Sequence, residues 1–247
     1  MEILGAIATG VLIGSILGLI GAGGAMITIP ILIYGFDFKP SSATTAALAI
    51  VLSTAIAALI HRAKQGEILY KEGLVIWSLG LSTNLVASII AHKLPDQAIE
   101  TGVAIIMFAA GYSISRKSDM RAHTRISTPY LVALSLVIGL VTGFFGIGGG
   151  FIVIPVLVLA FGTPVAVAAG TSLFVIAINS LTALIGHFQS WDEVSWTIPA
   201  FITATALVVA TVASRLQEKV DQTLLKKSFT ALLYGVAIFT LIQAWFI

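Results

Sequence analysis

The residues of this sequence that can do chemistry are glycines. Two clusters, GLIGAGGAMITIPIL at 18–32 and GFFGIGGGFIVIPVL at 143–157, interrupt stretches that are otherwise apolar. Glycine is the poorest ordinary helix former and proline is worse, so each cluster breaks its own helix. The helix that restarts after such a break presents unpaired N–H groups and the positive end of its dipole. That arrangement binds anions. The candidate site is therefore one anion site between two tips, Gly21, Gly23 and Gly24 with Ala25 and Met26 on one side and Gly146, Gly148, Gly149 and Gly150 with Phe151 on the other. Glycine fits because the backbone itself must approach the ligand and take positive φ. Pro30 and Pro155 stand at the same distance past the last shared glycine. They are candidate helix breaks that free a carbonyl and bend the returning segment. Glycines at close spacing also let membrane helices pack tightly. Their duplication with proline in fixed register favours the site.

Side chains after each cluster supply further donors. Thr44-Thr45 and Thr171-Ser172 occupy matching places, where hydroxyls can bond an oxyanion without bringing a charge into an apolar setting. Ser53-Thr54 and Asn179-Ser180 follow two turns later. Such hydroxyls often satisfy their own backbone, and Asn179 is the more expensive to bury. Asn84 lies deep in another apolar run and has no polar match; it suits an interhelical bond. His61 and His187 also match and are the candidates for coupling or gating. The apolar runs hold no Asp, Glu, Lys or Arg at depth, unlike proton pumps with an intramembrane relay. Dipoles and hydroxyls alone suit moderate affinity for a small hydrated anion that must be released.

The elements that position these groups follow from a duplication. Shifting the chain by 125 residues superimposes Gly18, Gly21, Gly23 and Gly24 on Gly143, Gly146, Gly148 and Gly149, and Pro30 on Pro155. A shift of 126 pairs Thr45 with Thr171 and His61 with His187. Two repeats, 1–123 and 124–247, make one integral membrane domain. Of 247 residues, 58 % are hydrophobic and 10 % charged, and the mean hydropathy is +1.05. This composition belongs in a bilayer. Apolar runs at 43–60, 73–91, 98–115, 129–145, 165–186, 194–213 and 228–246 approach the roughly 20 residues that cross a membrane. The runs 25–36 and 151–161 are shorter and follow the glycines. Ile3–Ile20 lacks the basic start of a signal peptide and is expected to be mature structure. With no cysteine there are no disulfides or thiolate metal ligands, and no metal or cofactor is expected. A net charge of +2 gives no case for a nucleic-acid partner.

Lysine and arginine counts choose the topology. If each glycine-broken segment goes in and comes back, 11 of the 13 basic residues fall on one side, leaving Lys39 and Lys93 on the other. The crowded side is then cytoplasmic and both termini are outside. The predicted fold is an all-α polytopic membrane protein of two inverted repeats. Each is a glycine-broken helical hairpin followed by three transmembrane helices, with the two tips meeting near the midplane.

The quoted motifs, with GTPVAVAAGTSLF after the second, resemble the two signature repeats of the sulfite exporter family of the TauE/SafE type. The resemblance covers the whole chain. It implies a permease or exporter for a sulfur-containing anion such as sulfite, thiosulfate or an organosulfonate, in a prokaryotic inner membrane. A proton or sodium ion is the expected coupling partner. The alternatives are an anion channel and a membrane scaffold or assembly protein. An enzyme is not expected: serine and histidine pairs such as Ser53 with His61 lie about two turns apart, with no nucleophile elbow.

Overall fold

A computed structural model describes residues 2–91, 96–116, 128–145, 150–217 and 220–246. The described residues form helices and no strand. In chain order these are α1 (Glu2–Leu19), α2 (Gly24–Pro30) with a π-helical continuation (Ile31–Gly35), α3 (Pro40–Lys64), α4 (Tyr70–Ala91), α5 (Asp96–Arg116), α6 (Thr128–Phe145), α7 (Gly150–Phe161), α8 (Val165–Gly186), α9 (Thr197–Leu216) and α10 (Gln222–Phe246). Each apolar run of the sequence lies mostly in one helix, several of which extend past it. α3 starts at Pro40 rather than Ala43 because proline is tolerated in the first turn, where its missing N–H has no helical partner anyway. Among the described residues α1, α3, α8 and α9 are long and apolar enough to cross a membrane.

The first glycine cluster is a reversal of the chain. α1 stops at Leu19 and α2 leads back beside it, so that Phe36 Cζ lies 3.5 Å from where a Cβ on Gly5 would stand. At Pro30 the returning helix changes from α to π geometry, as proline cannot donate the bond that α geometry requires there. Pro155 lies inside α7, which continues through it.

The chain divides into two compact units that do not follow the sequence repeats. One comprises Met1–Ile68 with Ala169–Val220, and the other Leu69–Ala168 with Asp221–Ile247. In the first, α1 lies along α9 through small residues. A Cβ on Gly10 would stand 2.7 Å from the Ile202 carbonyl, one on Gly14 2.7 Å from that of Ala206, and one on Gly18 2.8 Å from that of Ala210. Missing side chains thus let two backbones approach and gain dispersion contact along three turns. On α9 the small residues Ala206, Ala210 and Ala213 are buried while Val208, Val212 and Leu216 are at least half exposed. A helix with its small face packed inward and its large apolar face outward is built for lipid. Ile13, Leu17, Leu32, Ile50, Val51, Leu173 and Ile202 fill the interior of this unit.

Within the same unit α3 and α8 run in opposite directions. Thr45, near the start of α3, hydrogen-bonds His187, just past the end of α8. Glu67, just past the end of α3, abuts Gly170 near the start of α8.

In the second unit α4 packs on α6 and α5 on α10. The α4–α6 contact centres on Gly139, whose missing Cβ would run into the Gly80 carbonyl and the Thr83 hydroxyl. α5 and α10 meet through Phe108 and Tyr234, with ring centroids 5.5 Å apart, and through a 3.2 Å bond from Trp245 Nε1 to the Thr101 hydroxyl.

Gly14→Leu should prevent the approach of α1 to α9 and cost about 1–3 kcal/mol, as overpacking does. Gly102→Ala, inside α5 with open space around it, should add about 0.5–1 kcal/mol. Thermal unfolding in detergent measures both, and equal midpoints would contradict the packing described.

Candidate functional site

The first tip is assembled from backbone. The last amides of α1 keep helical bonding as far as Gly21, whose N–H donates to the Leu17 carbonyl at 3.0 Å. Gly21 then takes φ 76° and Gly23 φ 84°, left-handed values that glycine adopts without a Cβ penalty. Gly21 is also pressed onto α8: an added Cβ would lie 2.8 Å from the Ala169 carbonyl. Gly24 sits against Leu17 and Val51, the latter near the middle of α3, with atoms 3.0 Å from where its Cβ would be. Gly23 is the N-cap of α2 and provides no side-chain cap. The first amides of α2, at Gly24, Ala25 and Met26, therefore face the tip without a side-chain acceptor from the cap. Gly24 is buried, and Ala25 and Met26 are half-buried.

The broken end of α1 also leaves carbonyls, and these are met by the Arg62 side chain. The sequence counts Arg62 among the basic residues of the crowded side, and in the last turn of α3 its guanidinium is fully buried within the protein. Nη2 donates to the carbonyls of Gly18 and Leu19, both at 3.2 Å, and Nη1 donates to Glu67 Oε2 at 3.3 Å. Arg62 stays in the last turn of α3, and its long side chain puts positive charge at the negative end of the α1 dipole.

Glu67 arrives there through the way α3 ends. The Gly66 N–H donates to the Ala63 carbonyl and the Glu67 N–H to the Arg62 carbonyl, at 3.2 and 3.1 Å. Gly66 has φ 71°. This is a Schellman stop, which folds the second residue past the C-cap Gln65 back over the helix's third-last residue. Apolar side chains usually meet there; here Glu67 meets Arg62. The signal was in the sequence: in RAKQGE a glycine sits where it must bring the flanking Glu and Arg together.

The other expected residues are distributed as follows. Thr45 is fully buried; its hydroxyl donates to the Ser41 carbonyl at 3.0 Å and lies 3.3 Å from His187 Nδ1. Ser53 and Thr54 likewise donate to the carbonyls of Ala49 and Ile50, at 2.9 and 2.7 Å. Thr171 and Ser172 are fully buried on α8, directly after Gly170, and Asn179 is half-buried two turns on. His61 is half-buried in the last turn of α3. Gly150 and Phe151 begin α7. Gly146, Gly148 and Gly149, and with them the second tip, lie outside the described residues.

Residues 6–240 match the family model described as "Sulfite exporter TauE/SafE". The chain belongs to the TauE/SafE family. A "Probable membrane transporter protein" of Xylella fastidiosa (strain 9a5c) is 26% identical over 97% of this chain and 95% of its own length. "Probable membrane transporter protein YunE" of Bacillus subtilis (strain 168) is 26% identical over 76% of this chain and 78% of its own. "Probable membrane transporter protein MJ0441" of Methanocaldococcus jannaschii is 27% identical over 76% and 73%. No solved structure matches. With its apolar helices, this TauE/SafE protein is an integral membrane transporter.

Arg62→Met should be strongly destabilising for the TauE/SafE protein, because it strands two carbonyls and leaves Glu67 without its guanidinium. The expected loss is about 3–5 kcal/mol, as for breaking a buried ion pair. A melting temperature equal to that of the unmodified protein would show that the tip does not depend on Arg62.

Proposed function

We propose that this chain is a secondary transporter that carries a small sulfur-containing anion, such as sulfite, thiosulfate or an organosulfonate, across a prokaryotic inner membrane. The anion binds at the glycine tips. The observation that carries this reading is the first tip itself. Two left-handed glycines deliver the uncapped start of α2 to a buried place, with a buried guanidinium at the neighbouring helix end. Backbone that leaves helical geometry inside a membrane protein is tolerated where protein or a cavity receives it. Gly21, Gly23, Gly24, Ala25 and Met26 contribute backbone donors, and by repetition Gly146, Gly148, Gly149, Gly150 and Phe151 do the same at the second tip. Thr171, Ser172 and Asn179 add polar side chains. Thr45, which also contacts His187, adds a hydroxyl.

The repeats are read as inverted, with 1–123 and 124–247 as the halves. Matched helices α3 and α8 running in opposite directions support this. So does a matched close contact: Gly14 meets Ala206, and their counterparts Gly139 and Gly80 meet in the same way. Inverted halves provide two related conformations for alternating access. Exposed Lys64 and Arg215, near the ends of the parallel helices α3 and α9, support a cytoplasmic assignment for that end; Lys39 and Glu193 then lie outside, as do both termini. A proton or sodium ion drives the cycle, with His61 and His187 as coupling or gating residues.

The test is flux into liposomes containing the purified protein, using sulfite, thiosulfate, sulfate, sulfoacetate and chloride under imposed proton or sodium gradients. Gradient-driven uptake of one sulfur oxyanion above chloride is expected. Passive flux that ignores both gradients would make the protein a channel, and no flux of any anion from folded protein would overturn the reading. Ala25→Asp places a carboxylate in the first turn of α2, where it favours the helix but occupies the pole that the anion needs. It should lower uptake at least tenfold (about 1.4 kcal/mol in the barrier) in protein shown to be folded; unchanged uptake would remove the tip from the mechanism. Cysteines replacing Lys64 and Arg215 should react with an impermeant thiol reagent only from the cytoplasmic side, and those replacing Lys39 and Glu193 only from outside. The opposite pattern would reverse the topology.

A further inference from the structure

We infer that Arg62 is the fixed countercharge of an oxyanion site at the first tip, and that the Glu67 carboxylate occupies this site as a built-in stand-in when no substrate is bound. The inference rests on the anion-transport reading and adds to it the one charge that the backbone site lacks. Its starting point is an asymmetry between the two partners. The Arg62 side chain is 0 % exposed and that of Glu67 22 % exposed, so the carboxylate lies between the buried cation and solvent. The guanidinium is also divided in its work. Nη2 serves the carbonyls of Gly18 and Leu19, which orient it and, as the negative end of the α1 dipole, offset only part of its charge. Nη1 meets one carboxylate oxygen at 3.3 Å. A charge-assisted bond of this type is normally about 2.7–2.9 Å, and guanidinium geometry favours two parallel bonds to one oxyanion. The pair is in contact but is not drawn tight.

Glu67 is placed so that its carboxylate can leave while its backbone stays. Its N–H is held by the Arg62 carbonyl, and its own carbonyl is pressed against Gly170. Gly66 before it has nothing within 4 Å of where a side chain would be, and Gln65 is exposed. Rotation of the Glu67 side chain withdraws its carboxylate from Nη1. The vacated position adjoins Gly170, where Arg62 Cδ lies 3.5 Å from the site of an added Cβ, and the buried hydroxyl residues Thr171 and Ser172 follow on α8. Exposed Lys64 and Arg215 raise the local positive potential, which draws anions to this end of the unit.

A carboxylate and a sulfite or sulfonate group offer the same pair of acceptor oxygens. Exchanging one for the other keeps the buried cation compensated in both the empty and the loaded state, which avoids the large penalty for an unpaired buried charge. The same competition limits affinity, since each release of substrate is assisted by the return of Glu67. The site therefore takes small oxyanions with two or more coplanar or pyramidal oxygens and discriminates against chloride.

Anion-dependent thermal stability of the purified protein tests this directly. Melting temperature is measured against sulfite, thiosulfate, sulfoacetate, formate and chloride at constant ionic strength, for the unmodified protein, Glu67→Gln, Glu67→Ala and Arg62→Lys. Without oxyanion, Glu67→Ala should melt lower than the unmodified protein, and oxyanions but not chloride should restore it. The concentration giving half the shift should fall at least tenfold in Glu67→Ala and to a lesser degree in Glu67→Gln, because the internal competitor is gone or uncharged. Arg62→Lys should lose the oxyanion shift. Equal half-saturation in the unmodified protein and both Glu67 variants would overturn the inference, as would an undiminished shift in Arg62→Lys. If Arg62→Lys does not fold, the Glu67 pair decides alone. If liposome flux is absent for every anion while formate still rescues Glu67→Ala, the transport reading fails and the site at Arg62 stands. If flux is present and rescue is absent, the reverse holds.

Discussion

A helix that stops inside an apolar protein leaves carbonyls that no water will meet, and the arrangement around the first tip depends on how that debt is met at the end of α1. Arg62 supplies two donors to Gly18 and Leu19 from the neighbouring helix. Once the guanidinium is buried for that purpose it needs a counter-anion, and the Schellman stop of α3 folds Glu67 into place. That in turn presses the Glu67 carbonyl against α8, where residue 170 must be glycine to admit it. One unsatisfied helix end thus fixes the mutual placement of α1, α3 and α8.

Much of this was legible in the residues. Gly21 and Gly23 were read as positions needing positive φ, and both have it. The broken segment was read as going in and coming back, and Phe36 returns to Gly5. Helix extents were readable because apolar runs, a proline in the first turn and a glycine stop leave plain local marks. Partner choice was not. The spacing of Gly10, Gly14 and Gly18 announces a close neighbour but says nothing of which one, and α9 lies far along the chain. Hydroxyl roles were also under-determined: residue type gives Thr45 a donor but not its partners, here the Ser41 carbonyl one turn back and the His187 ring. The burial of Arg62 was not legible, because charge near a helix end is normally solvated. Gly66, with φ 71°, marks the place of the ion pair as Gly21 and Gly23 mark the tip.

The units owe their cohesion to small residues more than to large ones. Between α1 and α9, and again between α4 and α6, backbone approaches backbone where a side chain is missing. In lipid, where burying a leucine gains little over leaving it among acyl chains, such close approach is the main source of helix association. Large apolar residues such as Val208 and Trp245 are left on the outside, at 66% and 63% exposure, where a soluble protein would not keep them.

The pairing of α1 with α9 also has a meaning for biosynthesis. Ribosomes add about 5–20 residues per second, so the glycine face of α1 emerges long before Ala206 and Ala210 exist to cover it. For that interval, roughly ten seconds to well over half a minute at such speeds, the first helix has no permanent neighbour on that side. The nascent chain must be lodged in the membrane with an incomplete interface, leaving either lipid or the insertion machinery to shield it. A polypeptide halted after its first half would lack α9 altogether, so the two halves mature together or not at all.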